Sequence, residues 1–187
     1  MPTIESITGD KLTAFAPNTI GILYGQNPSK STEIIKQMFD LGQLFDKVSD
    51  FKIVADAFHK NAKKELTYRS EMLGKTPMDA LDDTLEACFD VAKENKVELQ
   101  TGIKTFGSWT VLPFRREQAL ETAGKVAYMV SKIKKGDITP LLHFNPQTMV
   151  LKDFFIQNPD YNFLNKKVKF ANYALFYWFH AVKLLES

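Results

Sequence analysis

The stretch from Lys166 to Leu185 constrains this chain more than any other, because no charge interrupts it from Tyr173 to Phe179. Wound as a helix, it places Lys169, Asn172, His180 and Lys183 on one narrow stripe spaced by threes and fours, with apolar and aromatic residues everywhere else. Such a helix needs neighbours on several sides, so the spacing predicts the central core helix of a bundle. The span between Lys169 and Lys183 rises about 20 Å, too short for a hydrocarbon core of about 30 Å, which argues against a membrane partner. Phe176 lies on the otherwise polar stripe, so either another segment of the chain or a second subunit must cover it.

The rest of the chain supplies the partners. At 187 residues with 15 Phe it can build one sizeable core, and its 44% hydrophobic and 25% charged residues are ordinary for a globular protein. Ile34, Met38, Leu41, Phe45 and Val48 repeat at fours and threes after Ser31, which can cap a helix. Phe51, Val54, Ala55, Phe58, Ala62 and Leu66 make a second stripe, expected to run to Leu73 and stop at Gly74. Thr76-Pro77-Met78-Asp79 is the strongest local signal, a capping box with proline at the first helical position. It opens a helix burying Leu81, Leu85, Cys88, Phe89 and Ala92. A fourth helix follows Pro113 and ends at Gly136, and Asn145-Pro146 can start a short one.

Two regions lack helical period. Residues 1–30 read as an extended arm with a short strand at Thr19 to Tyr24. From Lys96 to Leu112 the period shifts towards two around Gly102, which predicts a minor β element near residues 97–111, anchored by Trp109. The expected architecture is therefore mainly α: a single-domain bundle of about five to seven helices in residues 31–187, carrying the arm 1–30.

Candidate chemistry is sparse. His59, His143 and His180 sit far apart on different elements, without the close ligand pairs of zinc sites, so no metal is expected. Cys88, the single cysteine, falls on an apolar face, as a small hydrophobe rather than a nucleophile. It cannot form an internal disulfide, and no basic-then-apolar leader follows Met1, so a reducing, cytoplasmic setting is expected. Asp82 and Asp83 point about 100° apart on a helix and do not form a facing acid pair.

Charge is more informative. The net charge is only +2, but residues 104–135 hold seven cations against two acids, and residues 76–98 hold seven acids against two lysines. Lys52, Lys60, Lys63 and Lys64 lie opposite an apolar helix face, and Arg115 and Arg116 open the fourth helix, where the helix dipole also favours anions. The leading expectation is a non-enzymatic intracellular protein that self-assembles into a homo-oligomer and touches RNA or DNA phosphates through these six cations, in a nucleocapsid-like, coat-like or architectural role. The alternative is a protein-only adaptor or assembly subunit whose acidic face, Asp83 and Glu86, meets a basic one, with Phe176 at the interface.

A third expectation rests on Ile22 to Thr32, where a possible strand runs through Lys30-Ser31-Thr32 into a helix. This stretch loosely resembles the phosphate-binding loop of P-loop NTPases, in which backbone amides cradle phosphates and a lysine reaches them. It departs at Tyr24 and Ser29, where that loop carries glycines, and at Pro28, which removes an amide. The resemblance implies a nucleotide-dependent enzyme with a degenerate loop at 24–32 and a parallel sheet around it. Apart from this reading, no cofactor is expected.

Overall fold

The computed structural model describes residues 1–111, 113–168 and 173–187, and among these it is helical with no strand. Eight α-helices follow one another: α1 (Ile4–Ala14), α2 (Ser31–Phe45), α3 (Phe51–Thr67), α4 (Pro77–Lys93), α5 (Val97–Trp109), α6 (Arg116–Lys134), α7 (Phe163–Lys167) and α8 (Ala174–Glu186). Short 3-10 turns lie at Ser70–Met72 and Leu151–Phe154. Buried apolar residues from Leu12 to Val182 join in one cluster, so α1 and α8 share a core.

The centre is a pair. α6 packs against α8, α4 and α2, and every residue from Thr122 to Ile133 is buried. Small residues let α8 come close: a Cβ on Gly124 would stand 3.0 Å from the Trp178 ring. Hydropathy conceals this centrality, because α6 hides Thr122, Lys125, Ser131 and Lys132 along with its apolar residues. α4 begins with the expected capping box, Thr76 Oγ1 accepting from the Asp79 N–H while Asp79 accepts from the Thr76 N–H at 2.8 Å.

Three expectations are corrected. Residues 1–30 are not an extended arm, since Thr3 caps α1 and α1 lies along α3 and α2. Gly9 allows that approach, where a Cβ would meet the Val54 carbonyl oxygen at 2.6 Å. The weak helix formers Thr8, Gly9, Asp10 and Thr13 hide the helix from sequence reading, and tertiary packing overrides them. Thr19 to Tyr24 is a run of turns rather than a strand. The carbonyls of Thr19, Ile20 and Gly21 accept from the Arg69 guanidinium, which takes the place of a strand partner.

The expected β element near residues 97–111 is α5. Leu99, Gly102, Ile103 and Phe106 are its buried face, at i, i+3, i+4 and i+7, and Gly102 lies directly on the Ser31 carbonyl of α2. A glycine at the closest contact is invisible to a hydrophobic pattern, which is why the alternation around it looks like period two. Trp109 is 73% exposed and anchors nothing in this chain.

Smaller differences follow. α3 stops at Thr67 rather than Leu73, with Gly74 in the left-handed region at φ 84°. The short helix expected at Asn145 is a turn followed by the 3-10 turn at Leu151–Phe154. The C-terminal stretch holds α7 and α8; Lys169 and Asn172 of the expected polar stripe lie outside the described residues. No helix among the described residues is long and apolar enough to cross a membrane.

Candidate nucleic-acid interface

α3 turns Val54, Phe58 and Ala62 inward and leaves its lysines outside. Lys52 is held by Asp56 one turn on, at 2.5 Å. Lys60, Lys63 and Lys64 are exposed and make no ion pair among the described residues. Lys64 Nζ sits 5.9 Å from the centre of the Tyr68 ring, itself 70% exposed.

The second group of cations gathers elsewhere, between α5 and the start of α6. Gly107 lies against the Phe114 carbonyl, a contact that any Cβ would block, and it draws Phe114 onto α5. Lys104 and Ser108, one turn apart on α5, then face Arg115 and Arg116 across a cleft of about 430 Å³ that Gln100, Ile103 and Phe114 also line. Among the described residues, three cations and no carboxylate line it. Gln100 Nε2 is buried with no hydrogen-bond partner among the described residues. The Arg115 N–H donates to Gln118 Oε1 at 3.0 Å, and among the described residues no side chain accepts from the first N–H groups of α6. Trp109 follows Ser108 directly and stands in solvent.

Arg116 is partly committed. Its Nε donates to Glu94 Oε1 at 2.6 Å, and Lys167 Nζ reaches the same oxygen at 3.4 Å. The Arg116 hydrogen bond, helped by the charges of Arg116 and Lys167, holds the Glu94 carboxyl below its usual range despite some burial. Of the six cations singled out from the sequence, the structure thus brings Arg115 and Arg116 together and adds Lys104, while the α3 lysines occupy a helix that packs chiefly on α1. Lys104 was not legible as a site residue while residues 97–111 read as a β element; its four-residue spacing from Ser108 was the signal.

The residues expected at a protein interface are placed differently. Phe176 is 1% exposed and covered by its own chain, with Phe154 at 4.8 Å and Phe144 at 5.7 Å between ring centres. Asp83 is buried: it accepts from the Asn18 N–H and side-chain amide at 2.8 Å each and from the Thr19 hydroxyl at 2.7 Å. Burial raises its carboxyl above the usual value, opposed by those donors. Only Glu86 of the pair is exposed. The charge asymmetry is largely met inside the molecule, because acidic α4 packs on basic α6, with Lys134 bonded to Asp82 and Arg116 to Glu94.

Other polar groups are structural. Lys132 is 1% exposed, bonded to Asp137 at 2.7 Å and Thr139 at 2.8 Å, and Lys125 bonds Asp46 at 2.9 Å and Glu121 at 3.2 Å. His180 sits among Phe176, Phe154, Phe179 and Tyr128, and burial, with the charges of Lys183 and Lys132, lowers its imidazole to about 4. Burial pushes the Cys88 thiol well above its ordinary value, which leaves it inert. Among the described residues no cluster of three or more His, Cys, Asp or Glu could hold a metal. In the 22–32 loop the Gly25 N–H donates to Glu98 at 3.2 Å and Lys30 pairs with Glu33 at 3.3 Å, without the parallel sheet that the resemblance implied. No family model matches the chain, and no curated protein and no solved structure is significantly similar to it.

Proposed function

We propose that this protein binds nucleic-acid phosphates, with the α5–α6 cleft as the principal contact and the α3 lysines as a second, weaker one. The observation that carries the reading is the lining of the cleft: Lys104, Arg115 and Arg116 converge there with no carboxylate among the described residues that line it. Glu94 meets one side of Arg116, but Lys104 and Arg115 make no ion pair among the described residues; such cations repel one another, and a phosphate relieves that repulsion while releasing its own counterions. Lys60, Lys63 and Lys64 extend the positive surface without fixing a geometry.

Assembly is no part of this reading. Of the features that suggested it, the apolar arm and Phe176 are both covered within one chain, and Lys134 with Asp82 and Arg116 with Glu94 join the two charged segments. The protein-only alternative loses Asp83 to the interior.

The test is a salt titration of oligonucleotide binding by fluorescence anisotropy. Three phosphate contacts in the cleft give a slope of log K against log salt of about −2 to −3, and contacts from α3 steepen it towards −5. Lys104→Glu with Arg115→Glu should abolish most binding, whereas Lys60→Glu with Lys63→Glu should weaken it and flatten the slope. Absence of binding by the parent protein at low salt, or equal binding by the Lys104/Arg115 variant, would overturn the proposal.

A further inference from the structure

We infer that a second cavity, between the end of α6, residues 137–142 and α8, binds a small organic carboxylate, its head on Lys183 and His180 and its apolar body on Leu142 and Leu184. The cavity measures about 350 Å³, at the small end of the range for ligand pockets, and shares no lining residue with the α5–α6 cleft. Its inner wall is fixed. Tyr128 and Lys132 are buried there, and the Lys132 ammonium is held by Asp137 at 2.7 Å and Thr139 at 2.8 Å. The N–H and hydroxyl of Thr139 both donate to Asp137, which locks the turn just before Leu142.

Two polar groups on the α8 side are left for a ligand. Among the described residues the His180 imidazole has no hydrogen-bond partner, and Lys183, one turn on, makes no ion pair. Burial and the positive charges of Lys183 and Lys132 keep His180 neutral at pH 7, so it offers one N–H donor and one acceptor. Asp137 is the one carboxylate side chain among the described residues that line the cavity, and Lys132 already meets its charge. A ligand carboxylate answers both free groups, one oxygen accepting from the Lys183 ammonium and the other from the imidazole N–H. Beside that head, Leu142 keeps 48% of its surface in water, and Leu184 continues the apolar wall. An inorganic anion would leave this wall wet, and a neutral apolar molecule would leave Lys183 without a counter-charge. The two features together select an organic acid with an apolar body.

The experiment is an NMR titration of the full chain that follows the imidazole signals of its three histidines, those of His180 being identified by their loss in His180→Gln. Sodium hexanoate is the probe, and acetate and hexan-1-ol each carry half of its chemistry. Hexanoate should shift the His180 signals saturably, with half-saturation at about 1 mM, and leave those of His59 on α3 unmoved. Acetate and hexan-1-ol should each bind about tenfold more weakly. Lys183→Ala should weaken hexanoate about tenfold, and Leu142→Ser should weaken hexanoate while leaving acetate unchanged. Both side chains are exposed, so these variants keep the parent melting temperature. Lys104→Glu with Arg115→Glu should bind hexanoate as the parent does, because the α5–α6 cleft is a separate site. Absence of a His180 shift at tens of millimolar hexanoate, equal affinity for acetate, or parent-like affinity in Lys183→Ala would overturn the proposal.

Discussion

Trp178 of α8 donates its indole N–H to the Leu120 carbonyl oxygen of α6 at 3.0 Å, with its ring laid against Gly124. One side chain thereby fills the space between the two central helices and satisfies its polar atom on the partner's backbone. Trp178→Ala is expected to destabilise the fold by about 3–5 kcal/mol, and Trp178→Phe, which keeps most of the volume, by about 1 kcal/mol from the lost hydrogen bond. Urea denaturation measures both. An alanine variant as stable as the parent would remove Trp178 from the core.

Phe176→Glu is expected to unfold the protein rather than alter its association, because the carboxylate would stand among Phe144 and Phe154 with no partner. Phe176→Leu keeps the site apolar and should cost less than about 2 kcal/mol. Circular dichroism and light scattering separate the outcomes; a folded Phe176→Glu protein of changed oligomeric state would contradict the intramolecular cover.

Stability should fall in two acid steps. His180 has its imidazole lowered from 6.5 to about 4, so the stability of its neutral form is fully present above pH 6.5 and is lost as the pH falls through 4. Glu5, which accepts from the N–H and hydroxyl of Ser49, and Asp79 of the capping box are lowered to about 2. The unfolded carboxyls titrate at 4.5 and 3.8, so their contribution is present above pH 4.5 and disappears towards 2. Melting curves across this range check the order: His180→Gln should flatten only the upper step, and Glu5→Gln with Asp79→Asn only the lower.

Magnesium with ATP or GTP at millimolar concentration should leave the melting temperature unchanged. Lys30 is engaged by Glu33, and the loop before it lies on α5 through the Gly25 to Glu98 hydrogen bond. A nucleotide-dependent rise in melting temperature that Lys30→Ala removes would restore the phosphate-loop reading.

Much of the fold was legible wherever a helix is amphipathic and carries its own boundary signals. α2, α3 and α4 show apolar positions spaced by threes and fours, and Thr76 to Asp79 marks the start of α4, because these signals depend on neighbours within one turn. The clustering of cations in residues 104–135 was equally visible. Only the tertiary structure decided what those features meet. Gly9 and Gly102 let α1 and α5 pack through contacts with residues far away in sequence, and Gly107 meets the Phe114 carbonyl, so no hydrophobic pattern announces them. The same distances withdraw Asp83 and Phe176 from the surface and carry Lys104, whose residue type is unremarkable on its own, to the side of Arg115. Helix formation follows from local spacing and capping; the cleft follows from backbone approaches that exist only once the helices have packed.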